Sequence, residues 1–186
     1  GADETYFLVN GTTAGIMAAV ASAASEGESV LIASDCHKSV TRGLILSGAD
    51  PVYISPFIDP DTGLPAGIDI SQMEKILSYG GIKAVVLSNP SYYGTYSDIA
   101  AIAELAHKHN AAVIVDEAHG AHLRFTKQEI LHDAMSAGAD IAVQSTHKML
   151  GSLTQSSMLH VKGEMIDRKR LAYNIRLLTS TSPSYL

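Results

Sequence analysis

Short apolar runs alternate along this chain with longer stretches in which apolar side chains return every three to four positions. The runs are "SVLIAS" (29–34), "PVYIS" (51–55), "KAVVLS" (83–88), "AAVIVD" (111–116), "DIAVQS" (140–145) and "SSMLHV" (156–161). Apolar residues at consecutive positions mark strands that are covered on both faces. The periodic stretches 12–25, 37–47, 69–79, 98–109, 129–137 and 164–178 predict helices. The opening "GADETYFLVNG" lies near a further strand. The pattern therefore predicts an α/β fold with a mixed, mainly parallel central sheet of about six or seven strands and helices on both faces. Right-handed crossovers should join the parallel strands. The link between 140–145 and 156–161 is too short for a crossover helix, so those two should be antiparallel neighbours.

Turn and cap residues punctuate the same scheme. Thr12 or Thr13 is expected to cap the first helix, Asp69 and Asp98 to open two others, and Gly80–Gly81 and Asn110 to close them. Residues 60–67 ("PDTGLPAG") read as a loop. No repeat or linker interrupts the chain, so one domain over 1–186 is expected.

Composition narrows the function classes. The chain has 186 residues, 46% hydrophobic and 17% charged, which suits a globular domain with a real core. Its net charge is −6 with no long basic run, which argues against a nucleic-acid partner. No apolar stretch is long enough for a transmembrane helix, so no membrane partner is expected. A single cysteine, Cys36, cannot form an internal disulfide, and a reducing, cytoplasmic setting is expected. The abrupt ends suggest a piece of a longer protein.

Ligands of parallel α/β sheets bind beyond the carboxyl ends of the strands. There the chain places "NGTTAG", "SDCHKS", "SNPSYYGT", "DEAHGAH" and "STHKML". The "DEAH" tetrad alone would suit a nucleotide-hydrolysing helicase. That reading needs a phosphate loop, and no Gly-Lys dipeptide occurs. No G-x-G-x-x-G dinucleotide motif occurs either. Lys148, just past a buried strand, is a candidate amine nucleophile for a carbonyl. Asp116 ends another strand. A Schiff-base lysine with an aspartate facing a pyridinium nitrogen is the arrangement that pyridoxal 5'-phosphate needs. In "NGTTAG", Gly11 permits close backbone approach, Thr12 and Thr13 supply hydroxyls, and a helix start supplies N–H groups, together a candidate phosphate cup. Ser145 and His147 could add donors. Cys36 beside His37 is a weaker alternative, a thiol nucleophile without an orienting group. His119 and His122 are close, but no third metal ligand is evident.

These five motifs, in this order and spacing, resemble the large (major) domain of fold-type-I pyridoxal-phosphate enzymes, and more narrowly the Orn/Lys/Arg decarboxylase family, over nearly the whole chain. The resemblance implies an internal aldimine at Lys148, a ring-nitrogen contact for Asp116, and His119 near the ring's phenolic oxygen. It implies His37 stacked on the ring, a phosphate held by Gly11, Thr12, Thr13, Ser145 and His147, and Asn89 or Tyr92 at the ring edge. It further implies decarboxylation of arginine, lysine or ornithine, a homodimer or larger homo-oligomer, and a small C-terminal domain that this chain lacks. Another fold-type-I reaction, such as an aminotransferase or lyase, and a non-catalytic domain of the same fold are the rivals.

Overall fold

A computed structural model describes residues 1–126 and 131–183. The elements are β1 (Glu4–Leu8), α1 (Gly11–Ala23), β2 (Ser29–Ala33), α2 (Lys38–Ser47), β3 (Asp50–Ile54), β4 (Pro56–Ile58), β5 (Pro65–Ile68) and α3 (Ile70–Ser78). They continue with β6 (Ile82–Ser88), α4 (Ile99–Lys108), β7 (Ala112–Asp116), β8 (Ile141–Gln144), α5 (Thr146–Met149), β9 (Ser157–Val161) and α6 (Arg168–Leu178). Seven strands form one sheet in the order β1-β9-β8-β7-β6-β2-β3. The five from β3 to β8 are parallel. β9 runs antiparallel to both β8 and β1. The mixed, mainly parallel sheet expected from the pattern is what the chain builds.

Alternation along the buried strands sends side chains to two separate cores. Val30, Ile32, Val86, Ile114, Ile141 and Val143 pack on the side of α1, α2 and α6. Leu31, Val85, Leu87, Val113, Val115 and Ala142 pack on the side of α3 and α4. A strand apolar at every position serves both layers at once, which is why these runs show no polar alternation.

Several helix ends follow their caps. Asp69 accepts from Ser71 N and Gln72 N, and Asp98 from Ala101 N. Asn110 adopts φ +56°, the left-handed conformation of a helix terminator. Asp167 accepts from Lys169 N and Arg170 N, so α6 starts at Arg168 rather than at 164.

Three expectations need correction. The cap position of α1 is Asn10, not Thr12 or Thr13, and it makes no side-chain cap bond. Thr12 lies inside the first turn with its hydroxyl bonded elsewhere. Residues 65–67 are not loop: β4 and β5 form a small antiparallel hairpin, because Asp59 accepts from Asp61 N and Thr62 Oγ1 and turns the chain. The helix expected at 129–137 is a turn over 134–138 in its described part; residues 129 and 130 lie outside the described residues. Asp133 binds Ser136 N, Glu117 takes Ala134 N, and Gly138 at φ +102° ends the turn.

The two helices that flank the site are fixed against each other by a glycine. A Cβ on Gly43 of α2 would lie 2.7 Å from Val20 Cβ and 3.3 Å from Met17 Cα, both on α1. Atoms so near the backbone cannot move aside cheaply. We expect Gly43→Ala to lower the unfolding free energy by about 1–3 kcal/mol in urea denaturation; an unchanged midpoint would contradict this packing.

Candidate functional site

The carboxyl ends of the central parallel strands stand abreast. Ser88 pairs with Asp116, and Asp116 with Val143. Beyond them opens a cavity of about 780 Å³. Because β9 is antiparallel, its amino end and the preceding Thr154 and Gln155 reach the same rim.

Asp116 and Lys148 both line this cavity. Asp116 is 6% exposed. Its Oδ1 accepts from Ala118 N at 3.1 Å. Among the described residues no hydrogen bond engages Oδ2. Burial pushes its carboxyl up to about 6, against the pull of the Ala118 N–H and of the Lys148 charge. Lys148 sits in the single turn of α5 and is exposed to the cavity rather than desolvated. Its Nζ lies 3.3 Å from His119 Nε2. Burial and the Lys148 charge both lower the His119 pKa, so the neutral ring offers that nitrogen as an acceptor. Tyr92 meets the His119 ring edge-on, with centroids 5.9 Å apart.

His37 caps α2. Its Nδ1 accepts from Ser39 N at 3.2 Å, which leaves the ring proton on Nε2. Partial burial lowers its pKa, as do the charges of Lys38, Lys148 and Arg42. Gly11, Thr12 and Thr13 also line the cavity, as do Ser145, which contacts Thr12, and His147. Gly11 adopts φ +72°, and its N–H donates to the Gln155 carbonyl at 2.9 Å. His147 donates Nδ1–H to the Ser156 carbonyl at 2.9 Å, leaving Nε2 as its free ring nitrogen.

Asn89 is the one candidate that does not reach the cavity. It is 2% exposed, and its Oδ1 accepts from Ser97 N at 2.8 Å, fastening the 91–97 loop from behind. Tyr92 takes the wall position instead. Cys36 is no nucleophile: its thiol faces the Val86 carbonyl at 3.6 Å, and burial pushes it up to about 12. His122 is half-buried outside the cavity lining. His107 and His160 are tied to Asp140 and to Thr5 and Gln144. Among the described residues no cluster suits a metal ion.

Reading the strand pattern missed three features. Asp35 and the Thr154–Gln155 pair line the cavity. The antiparallel placement of 156–161 already implied that its amino end would lie at the ligand rim. Glu117 is fully buried, next to Asp116 but on the other side of the sheet. It accepts from Gln144 Nε2 at 2.6 Å and Ala134 N at 2.8 Å, and burial pushes it up to about 7. It ties the segment carrying Asp116 to the strand that ends beside Ser145.

The family model for the Orn/Lys/Arg decarboxylase major domain matches residues 1–186. The chain belongs to the Orn/Lys/Arg decarboxylase family. Within it, an arginine decarboxylase of Bacillus cereus is 43% identical over all of this chain and 40% of its own length. An arginine decarboxylase of Bacillus subtilis is 41% identical, with 38% of its length covered. A solved lysine decarboxylase A of Pseudomonas aeruginosa superposes with a TM-score of 0.84 at 26% identity, over all of this chain and 28% of that one. This major-domain chain thus spans about two-fifths of the length of the curated arginine decarboxylases it matches. An alanine–glyoxylate aminotransferase of Nostoc, at 17% identity and a TM-score of 0.71, shares the fold.

The raised Asp116 carboxyl makes a sign-definite prediction. Unfolded, the group ionises near its ordinary 3.8; folded, it resists until about 6. Its destabilising contribution is absent below the lower value, grows between the two, and is complete above the upper. Asp116→Asn never ionises. Without added ligand, its stability gain over the parent should grow from pH 4 to pH 6.5 and then level, reaching on the order of 3 kcal/mol. Thermal melts across that range check this, and a gain independent of pH would contradict it.

Proposed function

We propose that this chain is the pyridoxal 5'-phosphate-binding large domain, over 1–186, of an enzyme that decarboxylates a basic amino acid, arginine, lysine or ornithine, to its amine. The observation that carries the reading is the convergence of three chemistries on one cavity: the Lys148 amine, the buried Asp116 carboxylate, and the hydroxyls and backbone N–H groups at the start of α1. The residues present fit the cofactor. A cavity of about 780 Å³ has room for it. Asp116 keeps one oxygen unengaged among the described residues. The helix start with Gly11 at positive φ lets backbone come close to an anion.

In this reading Lys148 would carry the cofactor, Asp116 would hold its ring nitrogen, and His37 would lie along its face. Gly11, Thr12, Thr13, Ser145 and His147 would hold its phosphate. When bound, the group supplies an electron sink for the charge left at Cα after loss of CO₂. The chain's own part is positioning and proton handling. A cation beside Asp116 offsets the cost of its burial, so the carboxylate stays ionised where it would otherwise take a proton. His119 Nε2 stands beside the Lys148 ammonium, at the atom from which a proton must leave before the amine can act as a nucleophile. Burial of Asp116 and of the Ser145 and Thr12 hydroxyls keeps bulk water from competing for these contacts.

The substrate class follows the relatives named arginine and lysine decarboxylase. Likeness to an aminotransferase fold does not favour transamination, since the same cofactor chemistry serves both. A homodimer or larger homo-oligomer, a cytoplasmic setting, a role in polyamine metabolism and a further small domain belong to this reading as expectations of the family. Among the described residues no helix is long and apolar enough to cross a membrane.

Incubation with pyridoxal 5'-phosphate, borohydride reduction and peptide mass mapping should label Lys148, and Lys148→Ala should lose the label. The labelled protein's parent should release CO₂ from arginine, lysine or ornithine and form the matching amine. Labelling elsewhere, or an oxo-acid product in place of an amine, would reject the proposal.

A further inference from the structure

Behind the α1 end of the cavity lie three hydroxyls whose protons can be assigned by counting. Ser157 Oγ donates to the Gln144 carbonyl at 2.6 Å. A serine hydroxyl has one proton. Ser157 therefore has none for Thr12 Oγ1, 2.9 Å away, and the proton in that contact is Thr12's. Thr12 must then accept at its other contact, so Ser145 Oγ donates to Thr12 Oγ1 at 2.6 Å. The result is one directed chain, from Ser145 to Thr12 to Ser157 to the Gln144 carbonyl. Its members are 1%, 8% and 2% exposed, too buried for bulk water to interrupt the order.

Every proton in this chain points away from the cavity. Thr12 and Ser145, which line it, turn oxygen lone pairs toward it. An anion arriving there would meet acceptors. With an anion present, four contacts share three protons, so one must go bare. Turning Ser145 alone leaves the 2.6 Å pair bare, turning Ser145 and Thr12 moves the fault to the 2.9 Å pair, and turning Ser157 too would move it to the 2.6 Å contact with the Gln144 carbonyl. The bare contact costs least at the longest separation, so Ser145 and Thr12 reverse together, Thr12 donating to Ser145 and Ser145 to the anion, while Ser157 keeps its bond to the Gln144 carbonyl.

We infer that Ser157, which does not touch the cavity, is a positioning residue that sets the polarity of this hydroxyl chain, and that a phosphate monoester binds with Ser145 and Thr12 reversed. The inference rests on the proposed reading of the cavity for its ligand, not for its geometry. Binding then costs the bond from Thr12 to Ser157. Ser157→Ala removes that bond beforehand and frees Thr12 to donate to Ser145.

The expected result is unusual for the removal of a buried hydrogen bond. In calorimetric titration of the apo protein, Ser157→Ala should bind inorganic phosphate and pyridoxal 5'-phosphate about two- to tenfold more tightly than the parent. Pyridoxal, which lacks the phosphate, should bind unchanged, a split that a general loss of structure would not produce. Ser145→Ala, cut at the cavity end, should weaken phosphate binding and leave pyridoxal unchanged. Equal or weaker phosphate binding by Ser157→Ala, an equal shift for pyridoxal, or full phosphate affinity in Ser145→Ala would each overturn the inference. If phosphate affinity shifts as expected while Lys148 takes no label, the hydroxyl chain stands and the cofactor reading falls. If Lys148 is labelled and phosphate affinity does not shift, the reverse holds.

Discussion

The site depends on the register of three parallel strands. β6, β7 and β8 lie with Ser88, Asp116 and Val143 abreast, and side chains alternate strictly between the two helical layers. Asp116 therefore continues the row of Ala112 and Ile114 toward α1, as Ser145 continues Ile141 and Val143. Glu117 and Gln144 go the other way. A slip of one residue would exchange the two carboxylates, burying Asp116 behind the sheet and presenting Glu117 to the cavity.

That register is held by polar groups set behind the sheet and at its opposite end. Asp140 Oδ2 accepts from Val113 N at 2.7 Å and meets His107 Nε2 at 2.8 Å, joining β7 and α4 just ahead of β8. Glu117 binds Gln144 and Ala134 at the other end. The two strand ends that present Asp116 and Ser145 are thus clamped at both extremes. Groups on rigid strands, with fixed partners behind them, can hold a ligand without reorganising.

Much of this was legible in the chain itself. The doubly apolar runs located the strands, and Asp69, Asp98 and Asn110 marked helix ends through local chemistry that tertiary contacts do not override. Lys148, Asp116, His37, His119 and the residues around Gly11 and Ser145 fell together because strand ends converge by topology. What stayed hidden depends on distant partners. Thr12 looked like a cap, since no local rule announces that Ser145 and Ser157 claim its hydroxyl. Asn89 looked like a cavity residue, since its bond to Ser97 N depends on how the loop folds back. The stretch 129–137 carries helical periodicity, but its described part is shaped by Asp133, Glu117 and Gly138 into a turn. Glu117 gave no signal, because a carboxylate beside Asp116 in a polar-looking tetrad gives no hint that it is the more buried of the pair.

Cys36 bears on how such a protein can be watched. Its sulfur packs against both hydrophobic layers at the end of β2, and its raised pKa leaves almost no thiolate at neutral pH. A thiol kept so largely protonated reacts slowly with alkylating reagents in the native fold, and faster whenever the packing around the end of β2 opens. As the sole cysteine, it is a clock already installed in the fold, one whose ticking counts transient openings beside the ligand cavity rather than the wear of an exposed surface.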